Sequence, residues 1–357
     1  MKTGRTETTV MVAGIVALGA VLRCYQLGAR PLEEDELYTL RDALDLGARA
    51  AAAGGPGIRG RPLYYLLQHL LPPLHDPTPA FLRLPPLVFA LLGLWVTWSL
   101  GRRVFGDVAA GVAALLAAVA PWLLYESQFA RYWTLIYLLA ALATLLLLLA
   151  PRASGDRRWA ALALGGGSST MLLLFAASLR TAVYADYATA MLPLVFVTAG
   201  GAVQRLSESL TRGGRAFALG ATAVLVAAVL PGMASHLSDG TRFDYRPAYT
   251  YVRSAGGRGG GLLVGSPAIV ARHYAPDLSY RELPSSVDTL SNWLAGLDNL
   301  WVIAPYHRNG LVADAPGLEG WLFAHCRQVL RSERPRFDYR VYRVDLYRCA
   351  GPGAAAS

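Results

Sequence analysis

Residues 84–124 read LPPLVFALLGLWVTWSLGRRVFGDVAAGVAALLAAVAPWLL. Two apolar runs, Leu84–Leu100 and Val108–Leu124, flank a polar turn that holds Arg102, Arg103 and Asp107. Each run is long enough to approach or reach the roughly 17–25 residues with which a helix crosses a bilayer. The pattern extends in both directions. Val10–Leu22, Trp133–Ala150, Trp159–Ala177, Tyr187–Val203 and Ala216–Leu230 are further runs of this kind. The expectation is a mainly α membrane protein with about seven transmembrane helices. Composition agrees, because only 16% of the residues are charged, against about 25% in ordinary soluble domains.

Lys2 and Arg5 precede the first apolar run as in a signal peptide, but no small-x-small cleavage site follows. Val21-Leu22-Arg23-Cys24 carries Arg where a lipoprotein signal needs a small residue. The run reads as an uncleaved anchor. Arginines then set the orientation. Arg102 and Arg103, then Arg152, Arg157 and Arg158, then Arg205, Arg212 and Arg215, fall in alternate loops, on the side of Lys2 and Arg5. This predicts a cytoplasmic N-terminus, with 23–83 and everything after about residue 232 outside. Lys2 is the only lysine among 33 basic residues. Such arginine preference points to a GC-rich bacterial genome and so to a bacterial inner membrane. The net charge of +9 is explained by topology and by contacts to lipid or phosphate. Nucleic acid is excluded as a partner, since no basic stripe is interleaved with exposed aromatics.

The segment 23–83 is too long for a passive connector. Leu37, Leu40 and Leu44 share one helical face, as in a helix lying on the membrane surface. Ala50–Gly60 is a flexible link, and Pro62–Leu74 reads as a second interfacial or re-entrant segment with Tyr64 and Tyr65 at headgroup level. Three parts result: a transmembrane domain over 1–235, a small α/β extracytoplasmic domain over 236–350, and a tail over 351–357. In the second part Gly261–Gly265 and Leu300–Ala304 read as buried strands. Pro247–Arg253, Val287–Leu297 and Leu318–Gln328 read as helices, and Val329–Arg331 with Arg340–Tyr347 as a strand pair. Cys326 and Cys349 lie near the two ends of that pair. A disulfide between them and two buried free thiols are both open.

Two glycine clusters carry no nucleotide site. Gly165–Gly167 lacks the Gly-Lys-Ser/Thr of a phosphate loop, and Gly256–Gly261 precedes a strand instead of following one. The three cysteines and six histidines have no metal-ligand spacing. No cofactor is required, and a divalent metal is not indicated.

Glu33-Glu34-Asp35-Glu36 stands just past the first apolar run. Four adjacent carboxylates strain one another's ionisation and need water or cations nearby. The plain reading is a solvated loop start. Asp35 and Glu36 invite another, because Arg83 opens the next span and Arg131 lies at the outer end of a later one, after Pro121–Gln128. Carboxylates and arginines on one outer face suit deprotonation of a hydroxyl and grip on a phosphate. The competing reading of the arginines is interfacial snorkelling.

In order and spacing these features resemble the GT-C glycosyltransferase superfamily, closest to the branch of protein O-mannosyltransferases and the lipid A aminoarabinose transferase. The matching pieces are Asp35-Glu36-Leu37-Tyr38, Pro62–Leu67, Leu82–Pro85, Gly101–Gly106, Ala120–Tyr132, Met191–Val197 and the Asp-Tyr-Arg-Pro-Ala run at 244–248. The resemblance implies inverting transfer of a sugar from a polyprenyl-phosphate carrier to a protein, lipid or polysaccharide acceptor outside the membrane. Asp35 would be the base and Glu36 its helper. Arg131, with Arg83 or Arg180, would hold the donor phosphate, and Tyr64, Tyr65, Gln128 and Tyr132 would line the groove. Three departures stand against it. Phe129 replaces the family's acidic residue, Asp186-Tyr187 replaces an Arg-Tyr pair, and middle spans between about 150 and 180 are missing. These leave a second reading: a catalytically degenerate subunit that binds lipid-linked glycan within an envelope polysaccharide or protein-glycosylation complex, with a membrane partner. A transporter fits less well, for lack of a broken-helix repeat.

Overall fold

A computed structural model describes residues 3–45, 62–70, 78–149, 185–210, 212–238, 243–255, 261–265, 267–307, 310–311, 317–335 and 341–351. The expected span Trp159–Ala177, the link Ala50–Gly60, Gly165–Gly167 and Arg180 lie outside them. The chain forms two units, one of residues 1–29 with 39–237 and one of residues 30–38 with 238–357.

The first unit is helical. Its elements are α1 (Thr3–Cys24), the later part of α2 (Glu34–Leu44), α3 (Pro62–His69), α4 (Pro79–Leu82), α5 (Leu84–Val104), α6 (Asp107–Val119), α7 (Pro121–Ser127), α8 (Trp133–Leu149), α9 (Leu192–Ser209) and α10 (Gly214–Ser238). A 3-10 segment, Ala185–Met191, leads into α9. Among the described residues three helices are long and apolar enough to cross a membrane: Leu84–Val104, Ala188–Ser209 and Gly214–Ser238. A fourth results if α6 and α7 count as one span, while the apolar parts of α1 and α8 are shorter. Exposed apolar surface is plainest on α10, where Leu219 and Val224 are 74% and 69% exposed. Water would penalise such a surface and lipid would not.

The expected single helix Val108–Leu124 is instead bent by 60° between α6 and α7. Pro121 is the cause: it has no N–H to give the Ala117 carbonyl, and its ring clashes with a continuing helix. The polar turn between α5 and α6 uses Gly106 at φ +121°, a conformation that disfavours side chains. Gln204 of α9 closes this turn, its Oε1 accepting from the Ala109 N–H at 3.0 Å, one of the first-turn donors that a helix cannot satisfy itself. At Gly200 of α9 an added Cβ would collide with the Ala109 carbonyl, so this glycine lets α9 and α6 approach closely.

The leucine stripe of α2 does not define its buried side. Leu37 is buried, but so are Glu36, Thr39, Asp42 and Ala43, and Leu44 is exposed. Polar groups share the buried face, so the apolar stripe alone misjudged it.

The second unit is a mixed α/β domain. Its elements are α11 (Arg246–Ala255), β1 (Leu262–Val264), α12 (Ala268–Tyr274), β2 (Tyr280–Arg281), α13 (Val287–Ala295), β3 (Asn299–His307), β4 (Gly310–Leu311), α14 (Leu318–His325), β5 (Cys326–Pro335) and β6 (Val341–Ala350). The sheet order is β2-β1-β3-β6-β5, with β4 paired to β3. β1 is parallel to β2 and β3, while β6 is antiparallel to β3 and β5. Leu300 and Val302 point into one core with Leu290, Leu294, Leu318, Trp321 and Leu322 of α13 and α14. Trp301, between them, faces the other way and meets Tyr251 of α11 edge-on at 6.0 Å. Helices thus cover both faces.

Cys326 and Cys349 are directly opposed in the β5–β6 register and are disulfide-bonded. Helix α14 therefore ends at His325, three residues before the expected Gln328, because Cys326 already belongs to the sheet. Closing a loop of 23 residues contributes about 3 kcal/mol in the chain-entropy account. Cys24 is the remaining thiol and is exposed. Denatured, unreduced protein should accordingly take one maleimide by mass, and reduced protein three, the full cysteine count. Three labels without reduction would contradict the bond.

Candidate functional site

In the first unit, polar side chains gather on the end of α1. A helix leaves its last carbonyls without internal donors, and Gln128, just past α7, supplies them. Its Nε2 donates to the Arg23 and Tyr25 carbonyls, each at 2.8 Å. Its Oε1 accepts from His236 Nε2 at 2.9 Å, tying in α10. Arg83, between α4 and α5, is 2% exposed, and its guanidinium donates to the Leu27 carbonyl at 2.9 Å. Arg23 itself is fully buried. It donates to the Ala118 and Ala117 carbonyls at 2.9 and 3.0 Å, the groups that the Pro121 bend leaves without helical partners. This charge-assisted pairing replaces the missing backbone donors at the end of α6.

Tyr64 and Tyr65 of α3 meet Tyr132, Trp133 and Leu135 in one buried cluster. The Tyr64 and Tyr132 rings stand edge to face at 6.3 Å, and Gln68 Nε2 donates to the Tyr64 hydroxyl at 2.9 Å. The three tyrosines expected to line a groove are thus brought together, but as packed rings with at most 5% exposure. Arg131 is partly exposed, with its guanidinium 5.7 Å from the centre of the Tyr132 ring. Phe129 is buried and lies 5.2 Å from Tyr125. Glu126 is fully buried.

The acidic segment belongs to the second unit, since residues 30–38 group with 238–357. Three acidic residues in the first turn of α2 complement the positive end of the helix dipole. Asp35 and Glu36 nevertheless differ. Glu36 is fully buried, and its Oε2 accepts from the Glu33 N–H at 3.0 Å. That is the return half of a capping box, the N3 carboxylate serving the N-cap amide. Asp35 is partly exposed. Tyr274 of α12 donates its hydroxyl to the Leu32 carbonyl at 3.0 Å. Burial, reinforced by the carboxylates of Glu34 and Glu33, pushes the Tyr245 hydroxyl well above its usual range, so it stays protonated at neutral pH.

Replacing Glu36 by Ala should destabilise the protein by about 1–2 kcal/mol, whereas Gln, which also serves a capping box, should retain most of the stability. Thermal unfolding of the two variants checks this, and equal losses would count against a capping role.

Arg23, His236, Tyr245 and Tyr274 are not among the site residues expected from sequence. For Arg23 the signal was present: a charged residue at the end of an apolar helix, with Ala120-Pro121 elsewhere announcing carbonyls in need of donors. His236, Tyr245 and Tyr274 carry no local pattern. No family model, curated protein or solved structure matches the chain.

Proposed function

We propose that this chain is a membrane glycosyltransferase that moves a sugar from a polyprenyl-phosphate carrier to an acceptor on the outer face of a bacterial inner membrane. In this reading the helices form the expected set of about seven spans, the N-terminus is cytoplasmic, and the α/β domain is extracytoplasmic. The ordered motifs from Asp35-Glu36 to the 244–248 run support it, as do the membrane-length apolar helices. A bonded Cys326–Cys349 pair fits an oxidising compartment.

The observation that carries the assignment of roles is the division of labour between the paired carboxylates. Glu36 is buried and engaged as a cap, while Asp35 is partly exposed in the same helical turn. Asp35 takes the proton of the acceptor hydroxyl. The hydroxyl oxygen attacks the anomeric carbon, the bond from that carbon to the phosphate oxygen breaks, and polyprenyl phosphate leaves. Arg131 stabilises the charge that develops on the phosphate. Arg83 suits that role less, since it is buried and donates to the Leu27 carbonyl. The test is sugar transfer from radiolabelled polyprenyl-phosphate donors by the purified protein, with Arg131→Ala beside wild type; undiminished transfer in the variant would remove Arg131 from the mechanism.

A second reading, a non-catalytic subunit that binds lipid-linked glycan, has its own support. Phe129 is buried against Tyr125 where the GT-C family, which the chain resembles, carries an acid, and the amide of Gln128 is committed to backbone carbonyls and His236. Donor binding without turnover, restored by a co-expressed membrane partner, would favour this reading.

A further inference from the structure

We propose that Tyr274 is a positioning residue for Asp35: its hydroxyl anchors the acidic segment to the C-terminal domain and so sets where that carboxylate stands. The positioning role rests on the reading of Asp35 as the base. Residues 30–38 lie some two hundred positions before the domain with which they group. The helical ladder of α2 begins with the Leu37 N–H bonded to the Glu33 carbonyl at 3.0 Å. The Leu32 carbonyl stands one residue ahead of that ladder, and Leu32 is only 4% exposed. A buried carbonyl at such a place requires a donor from elsewhere in the fold. Tyr274 provides one at 3.0 Å, across a separation of 242 residues.

The donor is itself well fixed. Tyr274 is the last residue of α12, and the following Ala275 is buried, with its N–H bonded to the Ala271 carbonyl at 2.8 Å. The ring stands edge-on to His273 at 4.6 Å. Arg30 and Pro31 are buried beside Leu32, and the buried Tyr245 feels the Glu33 and Glu34 charges. Asp35 follows Leu32 by a single turn, so a shift of that carbonyl is passed to the start of the helix and to its carboxylate. Displacements of about 1 Å in such a group lower turnover by as much as 10²-fold.

The experiment uses full-length Tyr274→Phe in lipid nanodiscs, which removes one hydroxyl and keeps the ring. Amide hydrogen exchange across residues 34–38 should accelerate on the order of tenfold. In the active protein kcat should fall about tenfold or more with the KM for the donor unchanged. Asp35→Asn, by contrast, should lose turnover while keeping wild-type exchange. Unchanged exchange in Tyr274→Phe overturns the anchor, and faster exchange with full kcat overturns the positioning role. A wild type that turns over no donor would instead sink the transferase reading, and exchange alone would then decide the anchor.

Discussion

Arg23→Leu should destabilise the helical unit by about 3–5 kcal/mol, more than any other single substitution named here. The guanidinium is fully buried and bonded to the carbonyls of Ala117 and Ala118 on α6 and to that of Gly19 on its own helix. Leucine fills comparable space but donates nothing. Two carbonyls at the α6–α7 bend would then face an apolar interior unmet, at about 1–3 kcal/mol each. Local rearrangement cannot repair this, because Pro121 lacks the N–H that would serve Ala117. Arg23→Lys should recover only part of the loss, since an ammonium does not span several acceptors in a planar fork. Thermal unfolding of purified variants in one detergent measures the effect. Unfolding of Arg23→Leu at the wild-type temperature would show that the bend is satisfied in another way. Adding Pro121→Ala to Arg23→Leu should restore stability in part, because an unbroken helix supplies its own donors; such non-additivity would identify the two residues as one device.

Asp35→Asn should lower sugar transfer by about 10²–10⁴-fold, the usual contribution of a positioned general base. The substitution is isosteric and Asn is accepted near helix N-termini, so folding should be nearly unaffected. The neighbouring carboxylate should behave in the opposite way. Glu36 caps its helix, and its removal should appear in stability before it appears in chemistry. A pair of variants in which Glu36→Gln lost turnover and Asp35→Asn kept it would reverse the assignment.

The readable part of this fold is that governed by local chemistry. Apolar length announced α5, α9 and α10, a short apolar run announced β3, and alternation announced β6. The Pro121 bend is equally local in origin, but the expectation of one span over Val108–Leu124 overlooked it. What escaped notice depends on distant partners. Helix α14 stops at His325 because Cys326 pairs with Cys349 in the sheet, a tertiary demand that overrides helix propensity. The seven-residue α12 is too short to show a period. The leucine stripe on α2 suggested an apolar face, while Glu36, Thr39 and Asp42 are buried as well.

The candidate site was legible in the same uneven way. Acidic and basic residues stood out by their proximity to apolar runs, and Tyr64, Tyr65 and Tyr132 do come together. Their individual duties did not stand out. Gln128 was expected in a groove and caps α1. Arg83 was expected on a phosphate and donates to a backbone carbonyl. Residues 30–38 group with the C-terminal domain, with Leu32 bonded to Tyr274, and no spacing rule connects such positions.

Everything proposed of this chain's activity turns on transfer chemistry at Asp35. Its most direct test is release and transfer of sugar from a panel of radiolabelled polyprenyl-phosphate sugars by the purified protein in lipid, wild type beside Asp35→Asn. Wild type should turn over at least one donor, and the variant should lose that turnover almost completely while still binding the donor. Equal turnover by both proteins, or none by either on any donor, would contradict that chemistry.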